Sequence, residues 1–166
     1  MQEGAKHNFI LQQGFEEPAG EMCPRQYSAL HFQPRTVFLW VLAGIWFQSA
    51  PLFYVLGAVL WWSALLPKLN PFDAVYNLTF GRRASAFHLT PAPAPRRTSQ
   101  AMAGAFALAC GVLIHFGVST AAHVVEGMFL AAVLALTLGG FCVGSFVHHL
   151  FVGRGAFARQ TLPWAD

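Results

Sequence analysis

Two long apolar stretches joined by a short link constrain this chain more than any other feature. They run over Ser99–Gly117 and Val124–Val147, with Val118–His123 between them. Between Ala101 and Gly117 the only strongly polar side chain is His115. Between Val124 and Val147 the ionisable groups are Glu126 and Cys142. About 20 helical residues cross a ~30 Å hydrocarbon core, so runs of this length read as membrane spans. Composition agrees: 55% of residues are hydrophobic and 10% charged, against ~25% charged in a soluble domain.

A third apolar stretch, Thr36–Leu66, is too long for one crossing, and the polar break Gln48-Ser49-Ala50-Pro51 divides it. Charge placement favours the division. Arg25 and Arg35 precede the stretch, and Lys68, Arg82, Arg83, Arg96 and Arg97 follow it. The Gln48–Pro51 break and the Val118–His123 link carry no Lys or Arg. Two helices put every Lys and Arg on one side, which the positive-inside rule assigns to the cytoplasm. The expected fold class is therefore an all-α integral membrane protein. Its four transmembrane helices, about 34–48, 51–67, 99–117 and 122–150, form two hairpins with both termini cytoplasmic. Residues 1–33 form a polar arm and 153–166 a tail around this 34–152 membrane domain. The opening residues lack the apolar segment and small-residue cleavage site of a signal peptide, so the first span is expected to do the targeting.

Between the hairpins, Asn70-Pro71 reads as an N-cap followed by Pro at the first helical position. Asp73 suits the first turn of that helix, where a carboxylate complements the dipole. Phe72, Val75, Tyr76 and Phe80 share a face, giving a short amphipathic cytoplasmic helix over 71–80 that ends at Gly81. Arg82, Arg83, Arg96 and Arg97 are candidates for lipid head groups. The run Pro91-Ala92-Pro93-Ala94-Pro95 is a stiff, extended connector. Small residues spaced by four, Ala103, Ala107 and Gly111, then Gly140 and Gly144, suit close helix packing.

The segments Asn70-Pro71-Phe72, Pro95-Arg96-Arg97 and Phe141-Cys142-Val143-Gly144-Ser145 resemble the bacterial family called domain of unknown function 4395. The resemblance covers roughly residues 34–152. It implies two helical hairpins in a bacterial inner membrane and a Phe-Cys-x-Gly-Cys motif in the last helix, with no established activity. Cys142 and Gly144 match that motif; Ser145 stands where the family often has a second Cys.

Three constellations could carry chemistry. His115 ends the third span, and His123 and Glu126, spaced i, i+3, open the fourth, so the three could bind a transition metal. His115 and His148 each follow a Gly by four residues, an arrangement that leaves room for a haem or a chlorophyll-type pigment. Cys142 is a candidate redox thiol without a second Cys at hand. Three cysteines without a C-x-x-C argue against a disulfide framework or a zinc site. No nucleophile–base pair, phosphate-binding glycine loop or nucleic-acid stripe occurs. No small-molecule substrate and no resident cofactor are expected.

The leading expectation is a non-enzymatic accessory subunit of a larger membrane complex, such as a respiratory or photosynthetic one. The alternative is a redox, haem-binding or pigment-binding membrane protein. In the arm, Phe9, Ile10, Leu11 and Phe15 are the clustered apolar residues. The ordering entropy of so polar a segment exceeds what four side chains return. The arm is therefore expected to be ordered by inserting these four into another subunit.

Overall fold

The computed structural model describes residues 3–16, 22–82 and 87–165, and every regular element among them is helical. The arm holds α1 (Glu3–Gln12) and α2 (Met22–Leu30). The first hairpin is α3 (Phe32–Phe47) and α4 (Ala50–Leu65); a 3-10 turn over Pro67–Leu69 leads to α5 (Pro71–Thr79). The second hairpin is α6 (Ala94–His115) and α7 (Ser119–Thr137), followed by α8 (Val143–Phe151) and α9 (Gly155–Gln160). By length and composition, α6 and α7 are the two helices that could cross a membrane. With 16 residues each, α3 and α4 reach only about 24 Å. The expectation of four spanning helices is thus met for two.

Local chemistry explains the breaks. Gln48 takes a left-handed conformation (φ 43°), and its side-chain Nε2 donates to Ile45 O at 3.0 Å. Pro51 then sits in the first turn of α4, where its missing N–H costs nothing. The single helix expected over 122–150 is instead two. Gly140 adopts φ 65°, a conformation that suits glycine, and Phe141 N donates back to Ala135 O at 3.0 Å, closing the end of α7. Cys142, extended at φ −92°, then becomes the N-cap of α8.

The small residues act as expected, with a shifted register. α4 lies against α6 so closely that a Cβ on Gly57 would come within 2.7 Å of Leu108, and one on Gly104 within 2.7 Å of Trp61. The contact stripe on α6 is therefore Gly104, Ala107 and Gly111 rather than Ala103, Ala107 and Gly111. Around it Val37, Val41, Phe53, Leu56, Leu60, Phe129 and Val133 form the main core.

The arm overturns its expectation. Phe9, Ile10 and Phe15 are buried in this chain itself, in a second core with Ala29, Leu30 and Leu89; Leu11 is half-buried. The missing half of that core comes from Ala29 and Leu30 of α2 and from Leu89 after α5. His31 closes it, its ring tilted against those of Phe9 (4.4 Å) and Tyr27 (4.1 Å), which also touch each other.

Candidate functional site

Polar side chains meet at both ends of the bundle. At the end where both hairpins turn, Glu126 is buried eight residues into α7. It accepts from Gln48 Nε2 at 3.1 and 3.2 Å and pairs with His123 Nδ1 at 3.0 Å. His115 does not join them: its exposed ring lies against Tyr54 and Phe116. Among the described residues no group of three metal-ligating side chains comes together. The pair clamps the α3–α4 turn to α7.

The opposite end holds a denser network, and α5 anchors it. Asn70 caps α5 by accepting from Phe72 N at 3.1 Å, as its sequence position implies. Its amide then donates to Asp73 Oδ2 at 2.8 Å. Asp73 is more than a dipole partner: it is buried and forms an ion pair with Arg96 at 2.9 Å. Burial pushes its carboxyl up from the ordinary value, while the Arg96 guanidinium and the Asn70 amide hold it back.

This corrects the head-group reading of Arg96. Arg96 is 4% exposed, donates to Gln33 Oε1 at 2.9 Å as well as to Asp73, and rests over the Phe15 ring. Arg97 Nε donates to Ala64 O at 2.7 Å. α6 starts at Ala94 and so carries Arg96 into the bundle, while Arg97 stays exposed. Arg82 is exposed, and Arg83 lies outside the described residues.

Arg96 borders a cavity of about 70 Å³ that Gln13, Gln33, Ser99, Gln100 and Cys142 also line. Gln100 Nε2 donates to Gln33 Oε1 at 3.0 Å. Arg96 Nη1 and Gln100 Oε1 have no hydrogen-bond partner among the described residues. The Cys142 sulfur lies 3.1 Å from Ser99 Oγ, which is also 3.0 Å from Ser145 Oγ. As N-cap, Cys142 stands at the positive end of the α8 dipole. Its backbone N–H donates to Gln12 Oε1 at 2.9 Å, and Gln12 O accepts from His149 Nε2 at 2.9 Å. The arm therefore holds down the start of α8. Cys142 also borders an adjoining cavity of about 80 Å³, which shares Ser99 and Val133 with the first and is lined mainly by apolar groups that include Phe106 and Phe129.

The room expected beside the two glycines for a flat macrocycle is filled. Tyr54 occupies the space before Gly111, and Ser99 that before Gly144. His148 Nδ1 lies 2.9 Å from Thr98 Oγ1. Of the sequence candidates, Cys142 therefore lies in a built environment. Gln33, Asp73, Ser99 and Gln100 were missed as members of it. Gln33 and Gln100 could have been found as polar residues at the edges of apolar runs.

A family described as Domain of unknown function (DUF4395) matches residues 27–152. No curated protein matches the chain, and no solved structure does.

Proposed function

The chain belongs to the DUF4395 family, and from that premise we propose that it is a multi-pass membrane protein whose Cys142 thiol exchanges with small sulfur compounds. The observation that carries this reading is the place of Cys142: N-cap of α8, beside Ser99, in the wall of a small cavity that Arg96 and Gln100 also line. In the exchange the Cys142 sulfur attacks one sulfur of a low-molecular-weight disulfide. A new S–S bond forms as the old one breaks, and the thiol proton ends on the departing thiol. Cys142 is oxidised and the departing sulfur reduced. Ser145 stands three residues on, so a second small thiol, rather than position 145, releases the adduct.

The membrane frame is four crossing helices, with α3 and α4 accommodated by local thinning. The termini, α5 and α8 lie on the cytoplasmic side of a bacterial inner membrane, where all the Lys and Arg fall. Exposed Trp46, Phe47 and Phe116 at the turn end, and Trp61, Trp62 and Phe151 at the other, suit the two aromatic belts.

Two experiments test this. Incubating the detergent-purified protein with 2-hydroxyethyl disulfide is expected to give a mixed disulfide at Cys142, located by peptide mass spectrometry and absent in Cys142→Ser. An unmodified Cys142 in the folded protein overturns the thiol reading. For topology, Ser49→Cys and Thr120→Cys are expected to react with an impermeant maleimide added outside intact cells, and His88→Cys only after lysis. Labelling at residue 88 from outside overturns the frame.

A second reading, the accessory subunit of a larger membrane complex, is favoured by apolar groups exposed beyond the crossing helices: Val75, Leu78, Phe80 and Trp164. Blue-native electrophoresis of native membranes tests it; migration as a monomer speaks against it.

A further inference from the structure

The two cavities beside Cys142 adjoin, sharing Ser99, Ala103, Val133, Leu136 and Cys142 in their walls. The first lies inside the bundle: Val37, Leu60, Gln100 and Val133 of its wall are all buried. The second lies between α6 and α7, and part of its wall reaches the surface: Met102, Phe106, Ala132 and Val143 are each half-buried. With α6 and α7 crossing a membrane, that surface faces lipid. The walls of both are nearly all hydrocarbon. Arg96 is turned to Asp73 and Gln33, and Gln100 to Gln33. The polar atoms these two keep over are themselves buried. A charged molecule entering here would lose its water without gaining a partner, which is costly. An uncharged alkyl group leaves water or lipid at no such cost. Apolar cavities of roughly 150 Å³ stay dry and take up molecules the size of benzene. Adjoining spaces of about 70 and 80 Å³ are together on that scale.

We infer that Cys142 is supplied from the bilayer: its substrate is a small uncharged disulfide with short alkyl arms, which enters between α6 and α7. This specificity depends on the thiol reading and on the crossing of α6 and α7, and it names the substrate class. One alkyl arm lodges in the cavity lined by Phe106 and Phe129, against the Cys142 sulfur. The exchange is the one described above: the new S–S bond joins Cys142 to one arm, and the other leaves as a neutral thiol carrying the Cys142 proton. That product is as apolar as the substrate and can leave by the same route.

The test compares three probes with one reactive group on the full chain in detergent, the rate at Cys142 read by peptide mass spectrometry. Methyl methanethiosulfonate is uncharged; its sulfonatoethyl and trimethylammonioethyl analogues carry opposite charges. Each rate is divided by that probe's rate with N-acetylcysteine. Phe151→Cys/Cys142→Ser supplies an exposed reference thiol in the same micelle. The neutral probe is expected to be favoured over both charged ones at Cys142 at least tenfold more than at residue 151. Ala132→Phe, and the milder Ala132→Leu, narrow the entrance and are expected to slow the neutral probe at least fivefold and twofold. Equal preferences at residues 142 and 151 overturn the inference and leave the thiol reading standing. So does a neutral rate untouched by either Ala132 variant. A Cys142 that fails to react with methyl methanethiosulfonate overturns both.

Discussion

At the turn end, Glu126 takes hydrogen bonds from Gln48 and His123, and its partners lie at the edge of the bundle: His123 has 63% of its side chain exposed. At the opposite end, Arg96 and Asp73 are both buried, and Arg96 and Gln100 keep hydrogen-bonding atoms over. The turn end uses a charge to fasten a loop. The opposite end assembles a charge-balanced pair from α5 and α6, adds glutamines from α3 and α6, and leaves capacity beside a thiol. Ionisable groups at the ends of apolar helices thus divide into fasteners, whose bonds are complete, and sites, whose bonds are not.

The largest effect is expected from splitting the buried pair. Arg96→Leu leaves Asp73 charged and unpaired, at roughly 3–5 kcal/mol. Thermal unfolding in detergent is expected to show it, with part of the loss recovered in Arg96→Leu/Asp73→Asn. An Arg96→Leu protein as stable as the parent would mean that this end is no more than a second fastener.

Next is the arm that covers this end. Burial holds the His31 imidazole at about 4 instead of 6.5, the Tyr27 carbonyl opposing and the Arg35 charge assisting. The folded value is depressed, so the unfolded chain takes the proton first. The contribution of neutral His31 is whole above pH 6.5 and is lost as pH falls toward 4. A shift of this size is worth roughly 3 kcal/mol. Stability, or protease resistance of residues 3–16, is expected to fall across that window, and less so in His31→Phe. Equal pH dependence in both proteins would show that another group governs the arm.

The smallest effect belongs to the fastener. Glu126→Gln keeps the shape and loses the charge on two hydrogen bonds, at about 1 kcal/mol. Cys142 labelling is expected to be unchanged in it. Altered labelling would show that the two ends are coupled through α7.

What could be read ahead from the residues was what local chemistry decides. The Asn70-Pro71 start of α5 and the Gln48–Pro51 break each depend on a few adjacent residues, and both stand in the structure. The Arg96–Asp73 pair spans 23 positions, and each member already had a plausible local role, one in a head group and one in a dipole. The stop after α7 was written in Gly139-Gly140 but masked by an apolar run on both sides. The second core was missed because Phe9 and Ile10 were weighed against the arm's own entropy, without Ala29, Leu30 and Leu89 on the other side.

The hydrogen bond from Cys142 N to Gln12 has a consequence in time. In any chain containing both, Gln12 leaves the ribosome 130 residues before the amide it caps. Throughout that interval α1 has neither α8 nor the finished hairpins to rest on. Contacts so distant in sequence form late, so the segment synthesised early docks near the end, as a latch over the completed bundle. A bulky N-terminal fusion would act on that last step, leaving the helices inserted and α8 without its cap.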